Sequence, residues 1–476
     1  MPPPPPPAPT TLGALRGQGH APRTVKAEIR DNLVAKLAAG ESAFPGIVGF
    51  DATVLPQVER ALLAGHDMVL LGERGQGKTR LARSLVGLLD EWTPVVPGSE
   101  LHEHPMAPVT AATAERLARE GDDAAVGWLH RSERYGEKLA TPDTSVGDLI
   151  GDVDPVKVAE GRTLGDPETV HYGLVPRTNR GVFVVNELPD LAERIQVALF
   201  NVLEERDVQV RGYSLRLPLD LLVVASANPE DYTNRGRIVT PLKDRFGAEI
   251  RTHYPLRLED ELDLLRQEAL TLWEGHPLGA PMLPAFLLEV VARFTRHVRE
   301  SPQVDHRSGV SARFAVAAAE TVAAGAVRRA AVTGETEPVA RIVDLGAVVP
   351  AVRGKVEFDA VGAVEEGREV EVLHHLLRRA TADTFRARLA GSDLSALQKR
   401  VEEGEPVQTG ELVPAATLLA ALGPVAGTGA LLGRLGIEAE SPGLAASALE
   451  FALEGLFLNR RVSKDEVDGR TVYGGG

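Results

Sequence analysis

The stretch Gly72-Glu73-Arg74-Gly75-Gln76-Gly77-Lys78-Thr79 has the Gly-x-x-x-x-Gly-Lys-Thr spacing of a phosphate-binding loop. Each fixed position has a physical task. The glycines let backbone N–H groups turn inward around phosphate oxygens, Lys78 reaches the β and γ oxygens, and the Thr79 hydroxyl can ligate Mg²⁺. The flanks agree with that reading. His66 to Leu71 is a short apolar run of the kind that forms a buried strand, and Arg80 to Val86 continues as an amphipathic helix. Strand, loop and helix in that order predict that residues 72–79 hold a nucleoside triphosphate with Mg²⁺.

Outward from the loop the pattern alternates strand and helix, which predicts an α/β fold with a parallel sheet covered on both faces. Val182-Phe183-Val184-Val185 is a second buried strand and runs into Asn186-Glu187. Leu191, Ile195, Leu199, Val202 and Leu203 then mark one face of a helix. Val208 to Leu217 alternates about Gly212, as a hairpin would, and Leu221 to Ser226 is a third buried strand ending at Ala227-Asn228-Pro229. After Tyr254 the strands stop and helical periodicity takes over. Four segments are therefore expected: a disordered proline-rich arm with a leading helix over 1–40, a nucleotide-binding core over 41–255, a helical lid over 256–355, and a C-terminal helical module over 356–476.

Composition narrows the function classes. The chain has 476 residues and no cysteine, which excludes disulfides, thiolate metal sites and cysteine nucleophiles and agrees with a reducing cytoplasm. Its 67 acidic against 52 basic residues give a net charge of −15, so nucleic acid is not an expected partner. The charge-free run Leu412 to Gly433 has the length of a membrane span, but Pro414, Pro424 and several glycines interrupt it. It is read as packed helices with a turn, so no membrane span is expected. His102-Glu103-His104 and His374-His375 lack the i, i+4 spacing of a helical metal site.

A phosphate loop alone does not hydrolyse anything. Cleavage needs a carboxylate beside the metal and a group that orients the attacking water, and the end of the next buried strand is where both are expected. Here that end reads Asn186-Glu187. Glu187 is placed to polarise water, whereas Asn186 can hydrogen-bond a metal-held water but brings no negative charge. Asn228 ends the third strand, where it can help Glu187 orient that water. Four cations follow, Arg235, Arg237, Lys243 and Arg245, one of which can act as an arginine finger, a role often filled from a neighbouring subunit.

This ordered set of motifs resembles the AAA+ ATPases, and among them the magnesium-chelatase I subunit and MoxR-like group, over roughly residues 44 to 350. Phe44-Pro45-Gly46-Ile47-Val48-Gly49 is similar to that family's entry motif, which implies that Ile47 and Val48 lie near the adenine. The resemblance makes Asn228 sensor 1, puts the arginine finger on Arg245 in Asp244-Arg245-Phe246, and suggests Arg313, with Arg307 in reserve, as the sensor-2 arginine of the lid. It implies a homo-oligomer, a hexameric ring in that family, acting on a partner that carries a von Willebrand A domain. Asp393-Leu394-Ser395 starts like that domain's metal-adhesion loop, yet Leu397 stands where its second serine belongs. The expected function is thus a ring-forming ATPase that remodels or activates a partner protein. Two alternatives are the motor subunit of magnesium chelatase and an ATP-gated scaffold whose hydrolysis is weak because of Asn186.

Overall fold

The computed structural model describes residues 3–153, 159, 169–208, 217–229, 237–269, 279–305, 309–358, 367–437, 441–467 and 470–475. Most of the expected hairpin (209–216), Arg235 and Arg307 lie outside them. Two compact units divide the chain, Met1–His253 and Tyr254–Gly476.

Among the described residues nine strands belong to the first unit: β1 (Met68–Leu71), β2 (Trp92–Val95), β3 (Gly127–His130), β4 (Tyr135–Leu139), β5 (Gly151–Val153), β6 (Val170–Tyr172), β7 (Gly181–Asn186), β8 (Leu221–Ala227) and β9 (Ala248–Arg251). Five of them form one sheet in the order β4-β7-β8-β1-β9, and every neighbouring pair in it is parallel. Successive residues alternate between two cores because strand side chains alternate faces. Met68, Leu70, Val182, Val184, Leu222, Val224 and Ile250 pack with the helices at 25–39, 55–63 and 78–84. Val69, Leu71, Phe183, Val185, Leu221, Val223 and Ala225 pack on the opposite side with the helix Glu193–Leu203 and with Leu242. Burial on both faces is why β1, β7 and β8 read as unbroken apolar runs.

Parallel pairing also decides where the loops fall. Leu71 sits opposite Ala227 and Val185 opposite Ala225, so the chain leaves β1, β7 and β8 on the same edge of the sheet. That edge carries Gly72, Glu187 and Asn228.

The amino-terminal segment departs from expectation. In place of a disordered arm, Thr11 caps a short helix, Leu12–Gly17, whose Leu12 and Leu15 are buried against Val96, Leu117, Ala124 and Val126. Leu12 N–H donates to Ala124 O at 2.9 Å, Val126 N–H to Thr10 O at 2.8 Å, and the Trp128 indole to Pro9 O at 2.8 Å. The prolines lack donors but keep carbonyl acceptors, and two leucines three residues apart make an apolar face too short for a periodicity argument. The leading helix, Val25–Ala39, is fixed as firmly: Glu28 accepts two hydrogen bonds at 2.7 Å from Arg134, whose side chain is fully buried.

In the second unit, apolar residues of the helices Leu258–Glu268, Ala285–Glu300, Ala312–Thr333, Arg368–Leu389 and Pro442–Leu458 share one core. Leu412 to Gly433 forms two short helices, Ala415–Leu422 and Thr428–Arg434, and among the described residues no helix is long and apolar enough to cross a membrane. The terminal segment expected to be wholly helical also contains an antiparallel sheet, β10 (Val407–Thr409), β11 (Ser463–Val467) and β12 (Arg470–Gly474), in the order β10-β12-β11. β11 is mostly polar and exposed, β12 is mostly polar with Tyr473 as its buried anchor, and β10 is only three residues long with Val407 and Thr409 buried, so no apolar alternation announces them.

Candidate functional site

The phosphate loop follows β1 and is braced from within. Gln76 Oε1 accepts from Glu73 N–H at 3.1 Å and from the Thr252 hydroxyl at 2.8 Å. Gly72 is required by that closeness, since a Cβ there would come within 2.0 Å of Thr252 Oγ1 and 2.3 Å of Gln76 Oε1. Gly75 and Gly77 have φ of 74° and 79°, the left-handed backbone that glycine adopts without strain. Arg74, Gly75 and Gly77 are exposed, Glu73 and Thr79 are half-buried, and Gln76 and Lys78 are buried. An added Cβ at Gly77 meets nothing within 4 Å, so open space faces the loop there. That space, the exposed loop backbone and a buried ammonium beneath it suit a phosphate chain. Thr79, the second residue of the helix Lys78–Ser84, fits as a hydroxyl ligand for Mg²⁺.

Lys78 joins the loop to the strand ends. Its ammonium donates to Gly72 O, to Glu73 O at 2.9 Å and to Asn228 Oδ1 at 2.8 Å. Asn228 Nδ2 in turn donates to Glu187 Oε2 at 2.8 Å. Glu187 has φ 55° and ψ 47°, a left-handed conformation uncommon outside glycine, asparagine and aspartate. Its N–H donates to Ser226 Oγ at 3.2 Å, and that hydroxyl donates to Asn186 Oδ1 at 3.1 Å. Asn186 Nδ2 donates to Glu137 Oε1 at 2.6 Å. The other oxygen of Glu137 accepts from Arg83 Nε at 2.9 Å and from the Tyr135 hydroxyl at 2.9 Å. Burial, then the Glu137 carboxylate, push the Tyr135 phenol well above its ordinary range.

The structure therefore brings together Lys78, Asn228 and Glu187, three residues predicted from sequence, and places Asn186 beside them. Gln76, expected to contact the ligand, serves as a brace. Thr252, Ser226, Glu137 and Arg83 are not foreseen in the sequence reading. Ser226 has a signal, since it stands two residues before Asn228 on a strand already recognised. Glu137 has none, because β4 is an edge strand with the polar sequence Tyr135-Gly136-Glu137-Lys138-Leu139.

Other predicted residues stand elsewhere. Ile47 and Val48 are half-buried between buried Phe44 and Phe50. Arg245 closes the helix Thr240–Arg245, where its guanidinium bonds to Glu204 Oε2 at 2.7 Å and Pro241 O at 2.7 Å and lies 4.6 Å from the Phe200 ring centroid. Arg313 is exposed in the first turn of Ala312–Thr333, in the second unit. His102-Glu103-His104 has a structural use: Glu103 Oε1 accepts from Val109 N–H at 2.8 Å and Thr110 N–H at 2.7 Å, holding the segment before the helix Ala111–Glu120. His104 Nε2 lies 3.1 Å from His20 Nε2.

Comparison with known proteins agrees with this geometry. The family model for the sigma-54 interaction domain matches residues 162–244, the stretch that holds Glu187 and Asn228. The 38 kDa subunit of magnesium chelatase from Cereibacter sphaeroides is 28% identical over 235 residues, 47% of this chain and 62% of that protein. Its counterpart from Acidiphilium rubrum is 29% identical over 236 residues, with the same coverage of 47% and 62%. The chain thus spans about three fifths of the length of these relatives. A structure of the complex between BchI and BchD of magnesium chelatase covers 68% of this chain and 98% of its own matched chain, at 20% identity and a TM-score of 0.35, a likeness that adds no weight. With a phosphate loop on β1, beside the central strand β8 of a parallel five-stranded sheet, and its strand-end partners in hydrogen-bond contact, the chain has the α/β fold of a P-loop AAA+ protein and resembles the magnesium-chelatase I subunit in sequence.

Proposed function

We propose that this protein binds ATP with Mg²⁺ and hydrolyses it to drive remodelling or activation of a partner protein. The observation that carries the reading is the hydrogen-bonded chain Lys78–Asn228–Glu187, which links the phosphate-holding ammonium to the carboxylate that would take up a proton from water. Lys78 would leave the loop carbonyls for the β and γ oxygens, and Asn228 would keep Glu187 oriented toward the attacking water. Bound Mg²⁺, held through Thr79, would neutralise charge on the phosphates. Arg245 bonds to Glu204 within its own chain and, as a finger, would leave that contact for the site of a neighbouring copy in the homo-oligomeric, hexameric ring that the family resemblance implies. Arg313 is the proposed sensor-2 arginine. The MoxR-like resemblance supports a partner with a von Willebrand A domain and a cytoplasmic site of action. A role as the motor of magnesium chelatase is the more specific form of the same reading.

Asn186 favours a second reading, an ATP-gated scaffold with little turnover. Steady-state phosphate release by the wild type and by Glu187→Gln separates the two. A motor shows turnover that Glu187→Gln reduces by about a hundredfold while nucleotide still binds. A wild type that binds ATP, assembles and releases no phosphate above the Glu187→Gln level makes it a scaffold.

A further inference from the structure

Asn186 occupies the position where a metal-side carboxylate is expected, and a neutral amide there leaves the phosphate-bound cation without a protein anion. The structure places one next door. Glu137 on β4 pairs across the sheet at the level of Val184, and its Oε1 lies 2.6 Å from Asn186 Nδ2. Both polar ends of Asn186 are engaged, the carbonyl by Ser226 and the amide by Glu137, so the side chain has a fixed orientation. Asn186 is buried, and the Glu137 side chain is only 19% exposed, so the charge is not dissipated in bulk water. Arg83 fixes it from the other side through Nε at 2.9 Å and Nη2 at 2.8 Å. Arg83 belongs to the helix that begins with Lys78 and Thr79, so this carboxylate is tied to the element that carries the metal hydroxyl ligand.

A half-buried charged side chain on an edge strand is costly unless it is paired, and a fold needing only an ion pair here would not require an amide at the adjoining strand end. We propose that Glu137 supplies, through Asn186, the negative charge that the strand end itself lacks, and so acts as the positioning residue for Mg²⁺ on the bound triphosphate. A carboxylate accepting from one amide N–H polarises that amide, which makes Asn186 Oδ1 a stronger acceptor for a metal-held water. The same arrangement accounts for Asn186 itself. An aspartate there would face the Glu137 carboxylate at hydrogen-bond distance, and two like charges so close repel. The carboxylate has moved one strand outward, and the amide completes the contact.

This inference rests on the ATP-binding reading, and the test separates their failures. A non-hydrolysable ATP analogue is titrated into the full chain with Mg²⁺ and with excess chelator, and the ratio of the two affinities is the Mg²⁺ gain. In Glu137→Gln that gain is expected to fall about tenfold, with the loss confined to the Mg²⁺ arm. A gain equal to that of the wild type overturns the role of Glu137 and leaves the ATP reading intact. A wild type that binds the analogue in neither condition overturns the ATP reading itself, and this inference with it. Should Glu137→Gln fail to fold, Asn186→Asp is compared with the double variant Asn186→Asp/Glu137→Gln. In the double variant the new amide on β4 can donate to the new carboxylate on β7, which restores one negative charge to the pair, so it should melt higher than Asn186→Asp and keep the Mg²⁺ gain of the wild type. Equal melting of the two, or a gain in the double variant about tenfold below the wild type, overturns the proposal.

Discussion

The end of β1 and the end of β7, the two sides of the proposed triphosphate site, are built from different materials. At β1 the chemistry lies in the backbone. Three glycines shape the turn, and side chains such as Gln76 and Thr252 only keep it in place. At β7 the chemistry lies in side chains drawn from separate strands: Asn186 and Glu187 from β7 and its exit, Ser226 and Asn228 from β8 and its exit, and Glu137 from β4. A contiguous backbone device must keep its own sequence pattern. A side-chain device can exchange residues between strands as long as charge and hydrogen bonds are conserved, and Asn186 beside Glu137 is such an exchange.

The largest effect expected at either end comes from the link between them. Lys78→Ala removes the buried ammonium that bonds to Gly72, Glu73 and Asn228, and nucleotide affinity measured by calorimetry should fall by about a hundredfold or more. An affinity within about threefold of the wild type would show that the two ends act independently. Asn228→Ala comes next, with turnover down roughly tenfold to a hundredfold and binding little changed, because it loses the bond that orients Glu187. Ser226→Ala strips the hydroxyl that joins Asn186 Oδ1 to Glu187 N–H and should cost about 1–3 kcal/mol in denaturant unfolding, since it leaves a buried acceptor unpaired. Gln76→Ala on the β1 side should cost less, about 1 kcal/mol, with the glycine-shaped turn surviving. A larger loss at Gln76 than at Ser226 would reverse the comparison.

The smallest effect concerns the amino-terminal segment. Burial, then the Arg180 guanidinium, hold His104 down to about 3, and burial first also lowers its neighbour His20. Their folded values lie below the ordinary 6.5, so the unfolded segment binds more protons in between. The contact is at full strength above about pH 6.5 and weakens as the pH falls below it. Trp128, whose indole donates to Pro9 O, should report this as a fluorescence change on acidification from about pH 7 to 5, and His104→Phe should flatten it.

Much of this is legible in the sequence because the parallel sheet writes itself plainly. β1, β7 and β8 are buried on both faces and appear as apolar runs, and the residues that follow each run are those of the candidate site. The edge strand β4 and the polar strands β11 and β12 carry no such signal, since half or more of their side chains meet water. Leu12 and Leu15 escape notice for a related reason, one turn of helix being too short to show a period.

The sequence alone determined the phosphate loop, the three buried strands, the order of Lys78, Glu187 and Asn228 along the chain, and the anomaly at Asn186. Each depends on residues that are neighbours in the chain or on an unbroken apolar run. Only the tertiary structure decided that Glu137 meets Asn186, that Ser226 lies between Asn186 and Glu187, and that Asn228 connects Lys78 to Glu187. Those contacts join residues from 39 to 150 positions apart, and the register of parallel strands, which no local pattern encodes, is what sets them side by side.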